Sequence, residues 1–222
     1  FSKAMELGAD FIEVDVRTTS DGIQVILHDA SLKRTTGLEA KVEKTSLREM
    51  RRLSAGYAFG SQYEDQRVPR LEELCELVRN ENMHRTRQVK LYVDCKAIDA
   101  GEVIRLLNQH QLLDSAVFYG DMNTLTEIRK FNERARLMPA YPGKEKMESV
   151  IRKIAPYAVD IPYEKLNAAT ISFCHAQGIK VFSDLLGQHD TATAYRQAIQ
   201  LGVDLIQTDD ISAVHQVFDE FE

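Results

Sequence analysis

Glu13 and Asp15 are the residues whose type and spacing point most directly to chemistry. They alternate with Ile12, Val14 and Val16 in the run Phe11-Ile12-Glu13-Val14-Asp15-Val16. Side chains two apart on a β-strand share a face, so both carboxylates point one way and the apolar neighbours the other. Two carboxylates on one inward face repel each other unless a proton or a cation lies between them. An oxygen-only pair of this kind suits a hard cation. Taken alone, the pair fits a solvated edge strand equally well. His28 closes the next apolar run, Gln24-Val25-Ile26-Leu27, where it can hang over the mouth of a barrel. Its ordinary pKa near neutrality suits proton transfer; alone it would read as a structural or surface histidine.

The elements that must position these groups alternate along the chain. Short β-rich apolar runs recur at Lys90-Leu91-Tyr92-Val93, Ala116-Val117-Phe118-Tyr119, Arg136-Leu137-Met138, Tyr157 to Ile161, Ile179 to Phe182 and Val203 to Ile206. Gln24 to Leu27 follows an Asp21-Gly22 turn and reads as a short accessory strand. Apolar residues at helical spacing mark Leu71 to Val78, Glu102 to Leu107 and Thr124 to Phe131. Strand–helix alternation of this kind implies parallel strands in an α/β architecture. About seven main units are counted, where a (β/α)8 TIM barrel needs eight. Phe1 to Gly8 reads as the end of a helix stopped by glycine. The expectation is therefore a single TIM-barrel domain over 1–222 whose first strand and its loop lie upstream of Phe1.

Bulk properties narrow the function classes. The chain has 222 residues, 44% hydrophobic and 28% charged, with a formal net charge of -6. That balance, without a dense Lys/Arg block, argues against a nucleic-acid surface. Cys75, Cys95 and Cys174 include no CxxC spacing, so neither a disulfide framework nor a thiolate zinc site is expected. No apolar run is long enough to span a bilayer, and stable membrane insertion is not expected. The compartment is open between cytoplasm and periplasm or secretion, and the oligomeric state is not set.

The ordered matches from Gly8 to Gly37 resemble the signature of the glycerophosphodiester phosphodiesterase family: Gly8-Ala9-Asp10, Glu13-x-Asp15-Val16, Asp21-Gly22, His28-Asp29 and Arg34-Thr35-Thr36-Gly37. Val68-Pro69-Arg70-Leu71-Glu72-Glu73-Leu74 resembles the family's lead into its next long helix, and Gly202 to Asp209 its closing strand. The resemblance implies a TIM barrel that uses one divalent cation, Ca2+ or Mg2+, to hydrolyse glycerophosphodiesters to glycerol phosphate and an alcohol. Carried over by position, Glu13 and Asp15 are metal ligands and His28 is one of two catalytic histidines, donating a proton to the departing alkoxide. The family's third ligand ends the next main strand in an E-x-K pattern; here the place reads Asp94-Cys95-Lys96, with a shorter acidic arm. Lys96 shares a face with Asp94 and would stabilise phosphate charge. Cys95 points the opposite way, toward packing.

The departures from the family pattern lie around the substrate rim and upstream. The family's first catalytic histidine belongs to a His-Arg motif that would precede Phe1. His84-Arg85 precedes a strand, at the wrong barrel face for catalysis. Strand seven ends Phe182-Ser183-Asp184-Leu185 rather than in a Trp-containing motif, which makes Phe182 and Asp184 candidates for substrate contact, with barrel core and helix capping as their alternatives. Tyr119-Gly120-Asp121 differs at another rim position. His110, His175, His189 and His215 have no carboxylate at ligand spacing and read as surface or packing residues. Asp209 ends the last strand, where it can reach the site or, with Asp210, cap the next helix; capping is the favoured reading. Two other functions share the layout: a lysophospholipase D- or sphingomyelinase D-like phosphodiesterase, and a barrel that binds a phosphate ligand without catalysis.

Overall fold

A computed structural model describes residues 1–221. Along the chain lie α1 (Ser2–Glu6), β1 (Phe11–Thr18), β2 (Gln24–Ile26), α2 (Lys33–Thr36), α3 (Leu47–Met50), α4 (Leu71–Asn82), β3 (Lys90–Ala97), α5 (Ala100–Gln109), β4 (Val117–Tyr119) and α6 (Met122–Phe131). They are followed by β5 (Arg136–Met138), α7 (Lys144–Ile154), β6 (Ala158–Asp160), α8 (Ala168–Ala176), β7 (Lys180–Asp184), α9 (Ala192–Leu201), β8 (Leu205–Gln207) and α10 (Ile211–Phe218). The alternation read from the sequence is present throughout, with β2 as the accessory strand. Two compact units are distinguished: Phe1–Ile12, Tyr119–Thr126 and residues 136–221 form one, Glu13–Phe118 and Glu127–Ala135 the other.

In the unit that holds Glu13 to Phe118, the strands lie in the order β2-β1-β3-β4. β2 is antiparallel to β1, with Val16 opposite Ile26 and Thr18 opposite Gln24. The period-two pattern of β1 is realised in full: Ile12, Val14 and Val16 are buried, while Glu13, Asp15 and Arg17 are half-buried on the other face. The excursion after β2 makes its own core from Val25, Leu27, Leu32, Val42, Met50 and Val68. Gly37 ends α2 in the left-handed conformation at φ 79°, and the Tyr57 ring lies 3.0 Å from where a Cβ would stand. Glycine meets both conditions at once. Asp99 caps α5 by accepting from the Glu102 amide at 2.9 Å.

A buried side chain ties α4 to the start of β3. The Asn82 amide donates to the Val89 carbonyl at 2.8 Å, and its carbonyl accepts from the Val89 N–H at 2.9 Å. Removing such a partner leaves both backbone groups unpaired, at about 1–3 kcal/mol each. Asn82→Ala is therefore expected to lower the melting temperature by roughly 5–10 °C, since a chain of this size loses about 2–4 °C per kcal/mol. In urea the midpoint should fall at unchanged slope. A midpoint equal to wild type would remove the tie from the account of stability.

In the other unit β6, β7 and β8 are parallel, with Val159 opposite Val181 and Ser183 opposite Ile206. β5 runs beside β6 through Tyr157 N–H to the Leu137 carbonyl at 2.8 Å and a parallel bridge from Ala140 to Asp160. Leu185, Ala194, Tyr195, Ala198, Val214 and Val217 form a core beneath α9 and α10. Gly8 adopts φ 91° just after α1, the glycine stop expected there. Asp210, not Asp209, caps α10, accepting from the Ala213 amide at 3.0 Å. Among the described residues no helix is long and apolar enough to cross a membrane.

Candidate active site

The side chains of β1 and β3 converge. Glu13 and Asp15 stand on one face of β1, and Asp94 and Lys96 on one face of β3, because each pair is two residues apart. One ligand oxygen from each of Glu13, Asp15 and Asp94 lies within 4.8 Å of the other two. Asp94 reaches the pair despite its shorter arm. Lys96 Nζ sits between two of the acids, 2.6 Å from Asp94 Oδ2 and 3.3 Å from Asp15 Oδ1. Cys95 is buried on the opposite side.

Three carboxylates and one ammonium leave an excess of negative charge in a half-buried place. Burial, then the charges of Asp15 and Asp94, push the Glu13 carboxyl up from 4.5 to about 8. Burial likewise raises Asp94, against the opposing hydrogen bond and charge of Lys96. Burial works against the Lys96 ammonium, but its hydrogen bond to Asp94 and the two carboxylate charges prevail and hold its pKa above the ordinary value. A trio that must take up a proton to relieve repulsion is the donor set a hard cation would satisfy.

The shift has a measurable consequence for the metal-free protein. Between pH 4.5 and about pH 8 the folded chain keeps a proton on Glu13 that the unfolded chain has released. The stability that Glu13 contributes is then full below pH 4.5 and declines as pH rises through that window. Each tenfold change in proton affinity is about 1.4 kcal/mol, so the fall should reach a few kcal/mol. Glu13→Gln should flatten it. Urea melts in chelator at several pH values measure this; parallel curves for wild type and Glu13→Gln would refute the assignment.

His28 follows β2 beside β1. The Leu27 N–H donates to the Asp15 carbonyl at 2.9 Å, and Arg17 donates from Nε and Nη2 to the His28 carbonyl at 3.0 and 2.8 Å. The imidazole is exposed, with Nδ1 2.8 Å from Asp29 Oδ1. Asp29 in turn accepts from Arg34 Nε at 2.7 Å and Nη2 at 3.0 Å. Those bonds, Arg34 first and His28 second, hold the Asp29 carboxyl well below the ordinary range. An ionised Asp29 on Nδ1 turns Nε2 outward as the group that can exchange a proton. Sequence reading placed Asp29 and Arg34 in a motif without giving them this task; the adjacency of His28 and Asp29 was the available signal.

Phe182 and Asp184 lie on β7, in the other unit. Phe182 is buried, edge-on to Phe11 and Tyr157. Asp184 is exposed at the strand end, paired in register with Gln207. Carboxylates approach three of the remaining histidines, each from far along the chain rather than at local ligand spacing. His175 Nε2 is 2.8 Å from Asp204 and His189 Nε2 2.8 Å from Glu164, and a nitrogen of His110 lies near Glu72 and Glu76.

Comparison with known proteins settles the family. The profile of the Glycerophosphoryl diester phosphodiesterase family matches residues 1–213. The chain belongs to this family. Glycerophosphoryl diester phosphodiesterases are phosphoric diester hydrolases. One relative, the glycerophosphodiester phosphodiesterase of Caldanaerobacter subterraneus subsp. tengcongensis, is 28% identical over 95% of this chain and 86% of its own length. The α/β fold of these TIM-barrel-type enzymes is also shared. The glycerophosphodiester phosphodiesterase of Agrobacterium tumefaciens superposes with a TM-score of 0.84 at 22% identity, over 97% of this chain and 90% of that one. A phosphodiesterase of Oleispira antarctica, solved in complex with the product sn-glycerol-3-phosphate, gives 0.86 at 21% identity over 98% and 88%.

Proposed function

We propose that this glycerophosphoryl diester phosphodiesterase cleaves glycerophosphodiesters to glycerol phosphate and an alcohol at the site formed by Glu13, Asp15, Asp94, Lys96 and His28. The observation that carries the reading is the convergence of three carboxylates from two strands within 4.8 Å. The charge excess they create fits one divalent cation held by Glu13, Asp15 and Asp94, and the all-oxygen donor set favours Ca2+ or Mg2+ over softer ions. Such an ion, when bound, supplies charge stabilisation on the phosphoryl oxygens.

The chain's own residues account for the rest. Lys96 Nζ, held by Asp94 and Asp15, donates to a phosphate oxygen as negative charge develops there. His28, fixed through Nδ1 by Asp29, presents Nε2 to the departing alkoxide and protonates it. The relative from Oleispira antarctica was solved with sn-glycerol-3-phosphate, which supports glycerol phosphate as the product retained here.

The test is an assay of the full-length protein against choline, ethanolamine and glycerol esters of glycerol phosphate, with Ca2+, Mg2+ or chelator. Release of glycerol phosphate that needs one of the two ions is expected. Undiminished turnover in chelator, or none on any ester, would overturn the reading. A cyclic phosphate product would move the reaction to internal attack by a substrate hydroxyl.

A further inference from the structure

A second group of potential ligands lies in the helix layer, on elements that take no part in the site above. Glu72 and Glu76 are one turn apart on α4 and so share a face. His110 closes α5, which packs on α4. One ligand atom from each of the three lies within 4.8 Å of the other two. The exposures are graded: Glu76 is exposed, Glu72 half-buried, and His110 only 5% exposed.

His110 turns this cluster into something more than surface acids. Neither of its ring nitrogens has a hydrogen-bond partner, although both are buried. A buried polar group left unmatched costs about 1–3 kcal/mol, and native interiors seldom tolerate it without water or an ion. A neutral imidazole carries one lone-pair nitrogen, which is the form that binds metals. Glu72 gives one oxygen to Arg70 Nη1 at 2.8 Å and keeps its other oxygen for a ligand. Cys75, the soft donor on the same helix, is fully buried.

We propose that Glu72, Glu76 and His110 form a second divalent-metal site that clamps α4 to α5. The mixed donor set defines its chemical class. Imidazole with carboxylates suits a borderline transition ion such as Zn2+ or Co2+, whereas the all-oxygen site of Glu13, Asp15 and Asp94 suits a hard one. Three protein donors leave further positions for water, and the exposed Glu76 gives the ion its way in from solvent.

Co2+ is the probe, because imidazole and carboxylate ligation change its visible d–d absorption. The full-length chain carrying Glu13→Gln and Asp15→Asn, which silence the first site, should bind one Co2+ with that spectral change. Adding Glu76→Gln should weaken binding by at least about tenfold. Since Glu76 is exposed, this change should not disturb folding, which circular dichroism checks. Adding His110→Gln instead should remove the imidazole contribution to the spectrum. Zn2+ should displace the Co2+, and excess Mg2+ or Ca2+ should not. No bound Co2+ in the chain carrying Glu13→Gln and Asp15→Asn, binding indifferent to Glu76→Gln, or equal displacement by Mg2+ would each overturn the proposal.

Discussion

Glu13→Ala and Asp15→Ala are each expected to lower kcat/KM for a glycerophosphodiester by about a thousandfold or more. Charge stabilisation by a bound divalent ion is worth several kcal/mol, and each 1.4 kcal/mol is about tenfold in rate. Either change removes one of three clustered carboxylates. Asp15→Ala also takes away the partner 3.3 Å from Lys96, so it should misplace the ammonium as well as weaken the ion. A structural readout separates lost ligation from lost folding. In wild type, an ion at a hundred times its Kd should stabilise the fold by about 2.7 kcal/mol, or roughly 5–10 °C. Neither variant should melt far below wild type in chelator, and both should gain little from Ca2+ or Mg2+. Wild-type hydrolysis rates in either variant would remove the carboxylate trio from the mechanism.

Of that trio, the Glu13 and Asp15 pair was legible because it follows from a local rule. Glu13 and Asp15 are marked by the period of two in β1, and Ile12, Val14 and Val16 are buried as that period requires. Asp94 and Lys96 share the same logic on β3, but only the family resemblance singled them out. Strand limits moved by a residue or two where side chains intervene. The run from Val203 begins its strand only at Leu205, because the Asp204 carboxylate accepts from the Val181 N–H, close to His175 and Lys180. The excursion from 37 to 67 carries no hydrophobic period, and its short turns are fixed by the small core of Val42, Met50 and Val68. The histidine partnerships were illegible for a similar reason. Glu164 lies 25 residues before His189 and Asp204 lies 29 after His175, and only packing of distant elements brings them together. The same holds for His110 with Glu72 and Glu76.

The second large effect is expected at His28. A positioned acid contributes roughly 10²- to 10⁴-fold to rate, and His28→Ala should lower kcat by that order on choline or ethanolamine esters. The loss should depend on the leaving group. A departing alkoxide needs a proton, whereas p-nitrophenolate leaves as the stable anion. With a p-nitrophenyl ester of glycerol phosphate the same variant should therefore lose far less. Stability is not expected to change by more than about 0.5 kcal/mol, since the imidazole is exposed and the backbone is held independently by Arg17. Asp29→Asn should give a smaller loss of the same leaving-group-dependent kind, because it unties Nδ1 while leaving the imidazole in place. Equal losses on both esters for His28→Ala would mean that His28 places the substrate and that the proton comes from elsewhere.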